Sequence, residues 1–129
     1  MSASHPPAKR NLTIYQGATF ADSAVWKAGE TKATVQPVDL TGCTARMQIR
    51  EKIDSPTPLL ELTTENGRII LGGVTGEIAF NLDPVLTSAL TWRSGVYDLE
   101  IVYPDGAVRR LFAGGVAVSR EVTRAGAAP

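Results

Sequence analysis

The stretch Ser94–Thr123, SGVYDLEIVYPDGAVRRLFAGGVAVSREVT, decides the fold of this chain. Between Val96 and Tyr103, the side chains of Tyr97, Leu99, Ile101 and Tyr103 fall on one side and those of Asp98 and Glu100 on the other. A period of two marks a strand with one dry face. Pro104-Asp105-Gly106 then reverses the chain, because proline presets φ, aspartate can bond the backbone just ahead and glycine tolerates positive φ. Ala107–Ala113 returns with Val108 and Leu111 among arginines, Gly114-Gly115 is expected to break it, and Val116–Val118 reads as a last short strand. The stretch is three strands joined by two turns.

Moving outward, Cys43–Arg50 alternates just as clearly, with Cys43, Ala45, Met47 and Ile49 inward and Thr44, Arg46, Gln48 and Arg50 outward. Glu77–Leu82 places Ile78, Phe80 and Leu82 on one face. Asn11–Gln16 and Phe20–Lys27 read as the first two strands, followed by a polar hairpin loop, Ala28–Gln36. Leu59–Thr63, after a loop with two prolines, reads as an edge strand. Asn66-Gly67 is a hairpin signal leading into Arg68–Leu71. Asp83–Leu90 breaks the alternation: Asp83 can cap, Pro84 sits at the first helical position, and Val85, Leu86, Ala89 and Leu90 are helically spaced. This is the one short helix expected.

Eight or nine short strands at this spacing predict an all-β fold, an antiparallel β-sandwich of immunoglobulin-like size. Its facing layers draw on Ala45, Met47, Ile49, Leu60, Leu62 and Ile78, together with Phe80, Leu82, Tyr97, Leu99, Ile101, Val116 and Val118. No pair of cysteines flanks a tryptophan, which sets the chain apart from disulfide-bonded immunoglobulin domains. The expected organisation is an extended arm over residues 1–10, a β-sandwich over 11–124 and a tail over 125–129. The arm carries Pro6-Pro7 and is expected to become ordered only by docking.

The totals limit the function classes. The 129 residues suffice for one two-layer core. Thirteen basic residues balance thirteen acidic ones, so the excess positive charge of a nucleic-acid binder is missing, and zero net charge suits a subunit of an assembly. With one cysteine, Cys43, no intramolecular disulfide can form, which fits synthesis in a reducing cytoplasm. No apolar run is long enough to span a bilayer, and MSASHPPAKRN does not read as a signal peptide. The expectation is no membrane and no nucleic acid as partner.

No constellation of catalytic residues emerges. His5, the single histidine, lies in the arm, where it has neither the fixed position nor the tuned pKa of a general base. Cys43 is in phase with core residues, and together with His5 it cannot supply a zinc site of the usual kind. Asp98 and Glu100 read as the wet face of a sheet, opposite Arg109 or Arg110. The glycine pairs 72–73 and 114–115 do not open helices and are not phosphate cradles. The chain is expected to be no enzyme and to take no metal or cofactor.

Several segments in order resemble a family of small bacteriophage tail and baseplate proteins that includes the amino-terminal domain of siphophage upper baseplate proteins. They are Ile14–Phe20 (IYQGATF), Val38–Arg50 (VDLTGCTARMQIR), Thr75–Ile78 (TGEI), Tyr97–Glu100 (YDLE) and Gly114–Thr123 (GGVAVSREVT). The resemblance spans roughly Asn11–Arg124. It implies a non-enzymatic virion structural protein, made in the host bacterial cytoplasm: a tail or baseplate adaptor that helps anchor fibre or receptor-binding proteins. Its partners would be other virion proteins, and it would form a homo-oligomer. Unlike the upper baseplate proteins, this sequence carries no helical stalk or fibre module.

Two alternatives stand beside it. One is a capsid decoration or cement protein. The other is a carbohydrate-binding module of a host-recognition device, which requires Trp26, Tyr103 or Trp92 to point outward as an aromatic platform. The candidate interface residues are His5, Pro6, Pro7, Lys9 and Arg10 in the arm, Glu30 and Lys32 in the hairpin loop, Trp92, and Arg124 at the start of the tail.

Overall fold

The structure, a computed structural model, describes residues 6–124. Eleven strand segments follow one another as β1 (Ala8–Lys9), β2 (Leu12–Tyr15), β3 (Phe20–Val25), β4 (Lys27–Ala28), β5 (Gln36–Pro37) and β6 (Thr44–Arg50), then β7 (Leu60–Thr63), β8 (Ile69–Leu71), β9 (Glu77–Leu82), β10 (Ser94–Val102) and β11 (Val108–Ser119). A single α-helix among the described residues, α1 (Pro84–Ser88), joins β9 to β10, and a 3-10 turn at Gly73–Thr75 precedes β9.

The strands form a β-sandwich. The large sheet has the order β1-β11-β10-β6-β7 with β2 also on β11; the small sheet has the order β3-β9-β8; β4 and β5 make a separate two-stranded ribbon. Alternation puts one face of each sheet into a shared core. Met47, Ile49, Leu62, Leu99 and Ile101 enter from the large sheet and Ile69, Ile78, Phe80 and Leu82 from the small one, all in one buried cluster. Each such side chain contributes about 1.5–3 kcal/mol by leaving water. Of the side chains expected inward, Leu60, Cys43 and Tyr103 are only half-buried; Leu60 stands at the end of edge strand β7.

Four local expectations are corrected. First, Gly114-Gly115 does not break a strand: β11 runs unbroken for 12 residues and pairs with β10 along its length, with a bulge opposite Leu99/Glu100. A Cβ on Gly114 would stand 2.4 Å from the carbonyl oxygen of Arg10, so this glycine is where the amino-terminal segment crosses close to the sheet. Second, the large sheet is not purely antiparallel, since β1 and β2 both pair with β11 in parallel, Ala8 beside Phe112 and Leu12 beside Val116.

Third, Asn66-Gly67 does not close a hairpin. β7 pairs with β6 and β8 with β9, in opposite layers. The Asn66 side chain accepts from the backbone N–H groups of Thr63 and Arg68 at 3.0 and 3.1 Å and donates to the Glu61 carbonyl at 3.1 Å. It thereby supports a crossover that delivers Ile69 into the core from the other side. Fourth, α1 starts as expected, with the Asp83 carboxylate accepting from the Leu86 N–H at 2.8 Å and Pro84 in the first turn. Its apolar phase differs, however: Val85 is 79% exposed, and the buried side chain is Thr87, at 0%. The Thr87 hydroxyl donates to the Ala18 carbonyl and accepts from the Gly17 N–H, tying the helix to the turn after β2.

Candidate functional site

The described end of the arm, from Pro6 on, docks on its own domain. Pro6 is exposed, Pro7 half-buried, and Ala8–Lys9 form β1; His5 lies outside the described residues. Arg10 closes the junction between β1 and β2. Its guanidinium donates to both carboxylate oxygens of Asp22 on β3, at 2.8 and 2.9 Å, and lies 5.9 Å from the Phe112 ring centroid. Its backbone carbonyl accepts the Tyr97 hydroxyl at 2.6 Å. This clasp joins the two layers through β1, β3 and β10. Burial pushes the Tyr97 phenol up to about 12, with Arg10 opposing and Asp22 reinforcing the shift.

The other candidates fall at two opposite poles. At the pole of the Pro104–Gly106 turn, Glu30 and Lys32 are exposed in the loop between β4 and β5. The strands place that loop there: β3 ends beside the start of β9, and Trp26, just after it, stacks under the guanidinium of Arg109 at 4.9 Å. At the pole of α1, Trp92 packs half-buried against the core. Gln16 ties this pole together, donating to the Leu90 carbonyl at 2.9 Å and accepting from the Glu121 N–H at 3.0 Å. Trp92 borders a small cavity of about 230 Å³ with Gln16 and Arg120. Arg124 is exposed beside a groove of about 360 Å³ that Gln16, Val85 and Glu121 also line.

Trp26, Tyr103 and Trp92 are all half-buried against the core and form no outward aromatic platform. The exposed aromatic that sequence reasoning missed is Tyr15, 62% exposed on β2. Its place next to inward Ile14 carries the signal, since alternation sends it outward.

The outer face of the large sheet is polar. Arg46 bonds Glu100 at 2.8 Å, Arg110 lies 3.4 Å from Asp98, and Gln48 donates to Glu61 at 3.1 Å. Asp98 therefore faces β11 as expected, but Glu100 pairs with β6 instead. Bonds of this exposed kind contribute little to stability. Towards one side of the same face lies a groove of about 550 Å³, between the loop after β6 and the arm. Sequence reasoning missed it, because Lys9, Arg50, Ile53 and Gly115 meet there only through the fold.

Cys43 is half-buried, and burial, with Asp39 and Asp105 nearby, pushes its thiol up. The Asp39 carboxylate is held below its usual range by the hydroxyl and backbone N–H of Thr41. Among the described residues, no three His, Cys, Asp or Glu side chains gather as a metal site, and no helix is long and apolar enough to cross a membrane.

No family model matches the chain, and no curated protein does. Among solved structures, the chain is similar to one in the crystal structure of ICOS in complex with ICOS-L and an anti ICOS-L VNAR domain. That match has a TM-score of 0.47 and 10% identity, over 89% of this chain and 56% of the other. It is also similar to extracellular domains 3-5 of Drosophila OTK, with a TM-score of 0.34 and 15% identity, over 89% of this chain and 34% of the other. The chain thus spans little more than half, and about a third, of the lengths of these two structures.

Proposed function

We propose that the chain is a non-enzymatic structural protein of a bacteriophage virion, an adaptor or accessory subunit of the tail or baseplate that holds fibre or receptor-binding proteins in place. One observation carries the adaptor reading. The polypeptide enters and leaves the sandwich at opposite poles, because β1 and β2 run parallel to β11. Ala8–Lys9 enter from the side of the Pro104–Gly106 turn, whereas the end of β11 runs out beside Tyr15 at the pole of α1. A domain with an attachment segment at each pole can join one neighbour above and another below. The ordered resemblance from Asn11 to Arg124 supports the virion setting, and zero net charge removes electrostatic repulsion between copies. Ring contacts between copies would be heterologous, one pole or flank against a different one.

The test is to locate the protein in particles by immunogold electron microscopy, with copy number from quantitative mass spectrometry. A few copies at the tail tip support the reading. Label spread over the shell in hundreds of copies makes the protein a capsid decoration instead. Recovery only in the particle-free lysate refutes a virion role.

A further inference from the structure

We propose that the groove on the outer face of the large sheet is a docking site for an extended, acidic segment of a second protein. The inference stands whether or not the chain is a virion component. The groove holds about 550 Å³; Val96, Ala113 and Gly115 form its floor, Ile53 one wall and the arm at Lys9 the other.

Gly115 is the first argument. Its φ is not in the left-handed region, and a Cβ placed on it would meet only Asn11 Oδ1 at 3.7 Å and the Gly95 carbonyl at 3.9 Å, both ordinary contacts. Neither a turn nor crowding within the chain demands glycine here, in contrast to Gly114. Glycine weakens a strand interior and commonly marks a place where another backbone approaches closely. In β11, alternation sends the Cβ direction of Gly115 outward, opposite buried Val116, into the groove. The bare floor is therefore space left for something that lies on the sheet.

Charge is the second argument. Lys9, Arg50 and Arg110 line the groove against a single carboxylate, Asp98, which is 3.4 Å from Arg110. Arg50 is held by neutral partners, the Ser55 carbonyl at 2.7 Å and Gln48 Oε1 at 2.6 Å, and Lys9 has no ion pair among the described residues. Glu51 and Asp54 flank Ile53 on its loop but do not line the groove. The surplus of two positive charges selects carboxylates in the occupant. Ile53, 83% exposed, offers an apolar contact beside them. An extended segment with alternating acidic and apolar side chains meets both requirements. Residues 1–5 and 125–129 contain no Asp or Glu, and the Gly29–Val35 loop sets Glu30 against Lys32, so none of these three segments matches the groove.

The test titrates the full chain, isotopically labelled, with two fluorescein-tagged hexapeptides, one alternating Glu and Val and the other Lys and Val. Anisotropy reads affinity, and amide shifts read location. The Glu/Val peptide should bind, shift the Val96 and Gly115 amides, and weaken with salt, while the Lys/Val peptide should not bind. Gly115→Val should weaken binding by about tenfold or more, whereas Ala117→Val, on the same exposed face outside the groove, should leave it unchanged. Gly115→Ala keeps the test readable if valine disturbs folding. The proposal is overturned if neither peptide binds, if both bind alike, or if the Gly115 variants bind like the parent chain. Self-association that disappears in the Gly115 variants would also overturn it, by making a second copy the occupant.

Discussion

The Tyr97 hydroxyl is a small group whose removal should have opposite effects at neutral and high pH. Tyr97 is 4% exposed and donates to the Arg10 carbonyl at 2.6 Å. Tyr97→Phe leaves that carbonyl without its partner, which costs about 1–2 kcal/mol at pH 7. Burial lifts the folded phenol from 10.0 to about 12. A proton held more tightly in the folded state contributes stability that is complete below pH 10 and is lost as pH rises through 12. At about 1.36 kcal/mol per unit, the loss reaches roughly 2 kcal/mol by pH 12. Phenylalanine has nothing to ionise and escapes this loss, so the variant should overtake the parent chain between about pH 11 and 12. Urea unfolding followed by the fluorescence of Trp26 and Trp92, at fixed ionic strength, measures both curves. The two proteins differ at no other ionisable group, so the difference between the curves isolates the Tyr97 phenol. Stability curves that stay parallel from pH 9 to 12, with no crossing, would refute burial of the Tyr97 phenol as the source of the shift.

Other outcomes follow from single contacts. Gly114→Ala should destabilise by about 2 kcal/mol or more and raise amide exchange across β1 and β2, because its Cβ meets the Arg10 carbonyl at 2.4 Å. Gly115→Ala should be neutral or stabilising by about 0.5–1 kcal/mol in the same unfolding assay. Thr87→Val removes a buried hydroxyl that bonds Ala18 and Gly17, and should lower stability by about 1–3 kcal/mol despite its matching shape. Cys43, half-buried with its thiol pushed up, should react with a thiol reagent more slowly in the folded chain than in urea at neutral pH, where burial lowers its thiolate fraction.

Much of the core was legible in the sequence for one reason: a strand with one dry face writes its burial into every second residue. Ala45, Met47 and Ile49, then Ile78, Phe80 and Leu82, then Leu99 and Ile101 are all buried as alternation requires. Capping is equally local, so Asp83 and Pro84 marked the start of α1 three residues from the bond they serve. The arm, the loop at Glu30 and Lys32, Trp92 and Arg124 were named by their polarity or size. Their division between two poles depends on which strand ends lie together, which no local pattern encodes.

Sequence alone therefore determined the principal strands of the core, their inward faces, the turn at Pro104–Gly106 and the helix cap, since each rests on neighbours within a few residues. Tertiary structure decided which layer each strand joined. Asn66-Gly67 has the local chemistry of a hairpin, yet the need to bury Ile69 from the opposite side sends β8 to the other sheet. It also decided that β1 and β2 run parallel to β11, and that Gly114 and Gly115, identical and adjacent in sequence, differ physically. One is pressed against the Arg10 carbonyl, and at the other a Cβ would meet its neighbours only at ordinary contact distance. A glycine in a string of letters states only that a side chain is missing; what fills or leaves empty that space is set by segments a hundred residues away.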